Sequence, residues 1–189
     1  MTLIDTKTAD TQFTVPSVAD EERAQRLADA ATAWGERIAA TPSSAHLTYR
    51  VDGVGAGSVA TEIIAGRHRF LVDEPDSLAG DDLAASPVEY ALGALISCQV
   101  VVYRLYAQAL GIRVDDIDAK AEGDLDARRL FGIDESVRAG FGAVRLIITI
   151  SGPESQERYD ELRDVVDAHC PVLDLFANPT PVSVTVTKA

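Results

Sequence analysis

Cysteine is scarce in this chain: two among 189 residues, Cys98 and Cys170. Two thiols cannot build a disulfide framework, and no Cys-x-x-Cys or His-x-x-x-His spacing marks a metal site. What remains for them is core packing, redox chemistry or a weak metal set completed by His169, which adjoins Cys170. No metal and no cofactor is expected. Basic residues are also few: 17 Lys and Arg against 30 Asp and Glu leave a net charge of −13. Such a field repels phosphate backbones and anionic bilayers, so nucleic acid and membrane partners are not expected. The N-terminus lacks a positively charged start followed by an apolar run, and no later stretch offers a charge-free span of membrane length. A cytoplasmic protein is the expectation. "GVGAGS", residues 53–58, lacks the Lys-Ser/Thr ending of a phosphate-binding loop and reads as a hairpin turn. His46 and His68 fall on strand-like stretches with no evident partner.

With 47% hydrophobic residues, the chain can bury one substantial core with an appendage. The first fifteen residues, rich in Thr and Asp, read as a tail or a strap laid on a partner. Val18, Ala24, Leu27, Ala31, Trp34 and Ile38 then recur at helical spacing, predicting an amphipathic helix that ends before Pro42. Trp34 belongs to its packing stripe. This divides the chain into an extension, 1–44, and a main domain, 45–189.

The main domain opens with β-branched runs broken by glycines, which predict a meander of strands at about 46–53, 58–65 and 67–73 with turns near Gly55 and Gly66. A polar loop leads to Ser86, a cap for the following helix, and Pro87, which suits its first turn. From Ala91 to Val102 nearly every residue is apolar, so this helix should be enclosed on most sides, with Gly111 as its stop. "IRVDDIDAKAEGDLD" alternates like a strand with one wet face, "ARRLFGIDESVRAGF" reads as a loop, and "AVRLIITISG" as a strand. A second amphipathic helix, "ESQERYDELRDVVDAHC", and a closing strand, "PVSVTVTKA", complete an α+β order with mostly antiparallel pairing.

A Pro-opened apolar helix with a mid-helix Cys, a "GI" exit into a strand ending "AEGDLD", and a later "CPV" before "PVSVTVT" together resemble the OsmC/Ohr family of thiol-dependent hydroperoxide reductases. "HRFLVDEP" followed by "DDLAASPVEYALGALISC" is similar to its OsmC-like branch. The likeness spans residues 45–187. It implies an intertwined homodimer with antiparallel sheets around buried central helices and a substrate pocket between subunits. It further implies an antioxidant stress-response peroxidase in which Cys98 attacks an organic hydroperoxide and Cys170 resolves the sulfenic acid as a disulfide. A dithiol such as a lipoyl protein would be the reductant.

Two places depart from the family pattern. Only a thiolate attacks peroxide efficiently, and burial raises a thiol pKa, so Cys98 needs a cation or strong donor nearby. Active members supply an arginine from the first hairpin, held by a glutamate directly after the helix-opening proline. Here those places hold Val54 and Val88. Glu89, one residue later, is the candidate for the carboxylate role, though a one-residue step turns a helical side chain by about 100°. Arg50, Arg67 and Arg69 are candidate substitute cations, or else ordinary solvated strand residues. The alternative is an OsmC-like protein without peroxidase turnover, its thiols binding, sensing or packing.

Overall fold

The structure, a computed structural model, describes residues 15–188. The tail reading of the first fifteen residues falls almost wholly outside them. In chain order come α1 (Asp20–Ala40), β1 (Asp52–Ala56), β2 (Ala60–Ala65), β3 (His68–Val72), α2 (Pro87–Leu110), β4 (Asp116–Asp124), β5 (Ala143–Ser151), α3 (Gln156–His169) and α4 (Pro171–Ala177). Strands β1, β2 and β3 form one antiparallel meander, and β4 and β5 a separate antiparallel pair. The expected α+β architecture is present.

The long helix α2 organises the main domain. Its buried positions Leu95, Gln99, Val102, Tyr103 and Ala107 recur at helical spacing along one side. That side meets Leu162 and Val166 of α3, both without exposed surface, and continues into Ile112, Val114 and Cys170. On β4 and β5 the pairs Ile117↔Ile150, Ala119↔Ile148 and Ala121↔Leu146 point inward by the period-two rule and complete the core. Arg104 ties α2 to the chain entering β4 by donating to the carbonyls of Val114 and Asp115 at 2.8 and 3.2 Å. Gly111 ends the helix in the left-handed region, φ 63°, as expected.

By length and composition α2 could cross a membrane. One side of it packs on α3, α4 and β4.

Four sequence expectations need correction. The helix α2 is not enclosed on most sides: Gly93, Ser97, Val101 and Leu105, four residues apart in turn, form an uncovered face. The periodicity shows that α2 is apolar all round but not which side its own chain covers. The first strand begins at Asp52, near the end of β2 at Ala65, so residues 46–50 have no β2 residue opposite them. Its turn falls at Gly57, φ 56°, two residues beyond the place expected. The closing strand is absent from this chain's sheets: residues 179–188 run without ladder bonds, and Val182, Val184 and Val186 are each at least 84% exposed. Pro171 follows the end of α3 and opens α4, because a proline suits a first helical turn as well as it blocks an interior.

The start of α2 is fixed by a reciprocal cap. Ser86 donates its hydroxyl to Glu89 Oε2 at 2.7 Å and its backbone N–H to the same oxygen at 2.8 Å, while Glu89 N–H donates to Ser86 Oγ. The buried Asp73 carboxylate sets the preceding loop by accepting the N–H groups of Asp81 and Leu83, each at 3.1 Å.

Both bonds from Ser86, the hydroxyl first, hold the Glu89 carboxyl below the ordinary value of 4.5. A depressed carboxylate stabilises the fold above its unfolded-state pKa and loses that contribution as pH falls through the folded value. Glu89→Gln should therefore lower stability at pH 7 by about 1 kcal/mol, in the range of a lost cap. The gap to wild type should close as pH is lowered from 4.5, measured by urea unfolding across pH.

Candidate thiol site

Helical geometry and the α3–α4 corner bring the two cysteines together. Cys98 is half-buried in the middle of α2, on the side that faces α3 and α4. Cys170 ends α3 and caps the start of α4, and it is buried at 2% exposure. The two thiols are free and adjacent, 72 residues apart in sequence, and each lies in or against the same apolar cluster.

The electrostatics around Cys98 favour the thiol. Burial is the largest influence and raises its pKa; the Val172 N–H, at the start of α4, acts in the opposite direction, and the neighbouring Cys170 raises it again. No cation is among these influences. The carrier of the thiolate-favouring effect is thus a backbone amide at a helix start, where N–H groups lack intrahelical partners. Sequence reading did not find it. The signal was "CPV" itself, since a proline after a cysteine can open a new helix and leave the next amide free.

The remaining candidates are dispersed. Glu89 is engaged in the cap with Ser86, and the nine residues to Cys98 span about 13 Å of helix axis. Val88 lies exposed in the first turn of α2. Val54 sits exposed on β1 opposite Glu62. Glu62 in turn binds Arg69 at 2.7 Å. Arg50 lies on the exposed segment before β1, and Arg67 in the turn between β2 and β3. His46 and His68 are exposed. His169 adjoins the thiols, but its Nδ1 lies 2.7 Å from the Val165 carbonyl and its ring packs on Tyr106 at 4.6 Å between centroids. Among the described residues no three His, Cys, Asp or Glu side chains converge to hold a metal ion.

Comparison with known proteins agrees with this geometry at the level of fold and family. An OsmC-like protein from Mycoplasma pneumoniae superposes with a TM-score of 0.62 at 18% identity, over 69% of this chain and 88% of that one. An organic hydroperoxide resistance protein OsmC from Legionella pneumophila gives 0.54 at 21% identity, over 69% and 89%. An organic hydroperoxide resistance protein from Elizabethkingia anophelis gives 0.51 at 20%, over 68% and 89%. No curated protein sequence matches. Those similarities define an OsmC-like fold. Residues 80–185, more than half of the chain, match the OsmC-like protein family, and the chain belongs to it.

The raised pKa has a direct consequence. Alkylation of Cys98 in the folded protein should titrate with a midpoint above 9.0, the ordinary thiol value for this comparison, and Cys170→Ser should move it down by removing the neighbour's effect. Iodoacetamide rates at Cys98 across pH, read by peptide mass spectrometry, check both statements.

Proposed function

We propose that this OsmC-like protein is a cytoplasmic homodimeric thiol peroxidase that reduces organic hydroperoxides through Cys98 and Cys170. The observation that supports the reading is the adjacency of the two thiols across the α2–α3/α4 contact of the folded chain. Cys98, the more exposed sulfur, attacks as a thiolate the outer oxygen of ROOH; the O–O bond breaks, and ROH leaves after taking up a proton. The sulfenic acid on Cys98 then condenses with the Cys170 thiol, giving a disulfide and water. A dithiol such as a lipoyl protein returns both thiols and is itself oxidised. Glu89 serves this chemistry by fixing the start of the helix that carries Cys98. Some structural relatives are named for organic hydroperoxide resistance, which supports the choice of substrate.

The homodimer is supported by what one chain leaves uncovered. Besides the small-to-apolar face of α2, the segment with Leu47, Tyr49 and Val51 and that with Val182, Val184 and Val186 alternate like strands and lie exposed. Each could complete a sheet edge of a second copy, giving an intertwined pair. Under this reading 45–189 is the family domain and 1–44 the extension.

A second reading also has an observation behind it: an OsmC-like protein without peroxidase turnover, favoured by the raised pKa of Cys98 and the absence of a cation acting on it. One experiment separates the two. Stoichiometric cumene hydroperoxide should consume both thiols and yield an intrachain Cys98–Cys170 disulfide, Cys170→Ser should stop at a dimedone-trappable sulfenic acid on Cys98, and Cys98→Ser should leave Cys170 reduced. Retention of both thiols in the folded wild type under excess peroxide would establish the second reading. Light scattering on the same samples should give twice the monomer mass at micromolar concentration.

A further inference from the structure

A cleft of about 580 Å³ opens between α2, α3 and the inward face of β5, next to the thiol pair but not lined by it. Its volume is that of a small-molecule site. Ile148, Ile150 and Leu173 give it an apolar floor. Gln99, fully buried, lies in its wall. The Gln99 amide donates Nε2 to Asp167 Oδ1 at 3.4 Å, while Oε1 has no partner. The amide could not be turned over to satisfy that oxygen, because Oε1 would then face a carboxylate. A buried carbonyl oxygen without a donor is costly, and a core position on an apolar helix would be filled more stably by Leu.

The other polar groups in the wall also call for a donor. Asp160 is engaged with Gln156 and Arg163, and Arg163 is held by Asp160 and Asp164. Asp167 accepts only from Gln99 among the described residues. Tyr103 is buried at 2% exposure in the same wall. Burial first, then Asp167, pushes its pKa up to about 12, so it remains a neutral phenol. A carboxylate that accepts one long hydrogen bond, with Arg163 its nearby cation but shared with Asp160 and Asp164, and an orphaned carbonyl oxygen therefore stand together in the wall of an apolar trough. Anions are disfavoured by Asp167, and a purely apolar guest leaves Oε1 unsatisfied.

We propose that this cleft binds a small primary amine in its ammonium form, the N–H groups donating to Gln99 Oε1 and Asp167 and the alkyl body lying on Ile148, Ile150 and Leu173. The site is independent of thiol chemistry. Its test uses n-hexylammonium as probe, with hexan-1-ol and hexanoate as controls, in titrations of the full chain followed by NMR or calorimetry. Hexylammonium should bind saturably with shifts confined to α2, α3, α4 and β5. Hexanol should bind at least about ten-fold more weakly, and hexanoate not at all, as expected for loss of a charge-assisted hydrogen bond.

Gln99→Met, which keeps length and removes the acceptor, and Asp167→Asn should each weaken the amine by about ten-fold or more while retaining the wild-type circular dichroism. Cys98→Ser should bind as wild type does, so failure of the peroxidase reading leaves this result untouched. No saturable binding, equal binding of hexanol, or unchanged affinity in a folded Gln99→Met overturns the proposal.

Discussion

The contact of α2 with α3 and the corner into α4 carries most of what this structure does. Leu95, Val102 and Tyr103 on one helix and Leu162 and Val166 on the other are almost completely withdrawn from water. At about 25 cal/mol per Å² of apolar surface, each such side chain contributes about 1.5 to 3 kcal/mol. This contact also sets the chemistry. Cys98 sits where it does because it flanks that buried stripe and packs against its cluster, and Cys170 because the chain turns at Pro171 after the last turn of α3. The burial that brings the sulfurs together is the same burial that raises the Cys98 pKa. Proximity and activation thus oppose each other here, and among the described residues the amide of Val172 works against the penalty.

The apolar surface is distributed unevenly around this contact. One side of α2 is buried by its own chain, while Val101 and Leu105 on another side, and the alternating segments on either flank of the domain, remain exposed. Scattered exposed apolar residues are ordinary. A helix face and two strand-like segments exposed together are not, since the segments also carry unpaired backbone donors and acceptors. The fold of one chain therefore leaves an apolar helix face and two strand-like segments uncovered among the described residues.

Much of the architecture was legible in the sequence because it rests on local patterns. The Ser86–Pro87 opening, the Gly111 stop and the alternation of β4 and β5 follow from capping and period-two rules that act within a few residues. The reading failed where the outcome depends on a distant partner. Residues 179–188 have a strand's pattern but join no sheet among the described residues, and 46–50 run past the end of β2. Around the thiols, the two cysteines could be named from the sequence. Their adjacency needs the packing of elements 72 residues apart, and the amide of Val172 depends on Pro171 starting a helix rather than merely ending one. Glu89 shows the converse: the residue type suggested a partner for a cation, whereas three residues of spacing to Ser86 had already specified a capping box.

Cys98 and Cys170 lie adjacent in the folded chain, so under the proposed peroxidase reading their disulfide forms without unfolding. The most direct measurement compares two rates in the same buffer: appearance of the Cys98–Cys170 disulfide under saturating organic hydroperoxide, and global unfolding followed by exchange of the slowest core amides of α2 and α3. The account predicts that the disulfide forms much faster than the core opens and that its rate rises with peroxide concentration. A disulfide that appears only at the unfolding rate, independent of peroxide concentration, would contradict it, because the thiols would then be meeting the oxidant in the unfolded chain.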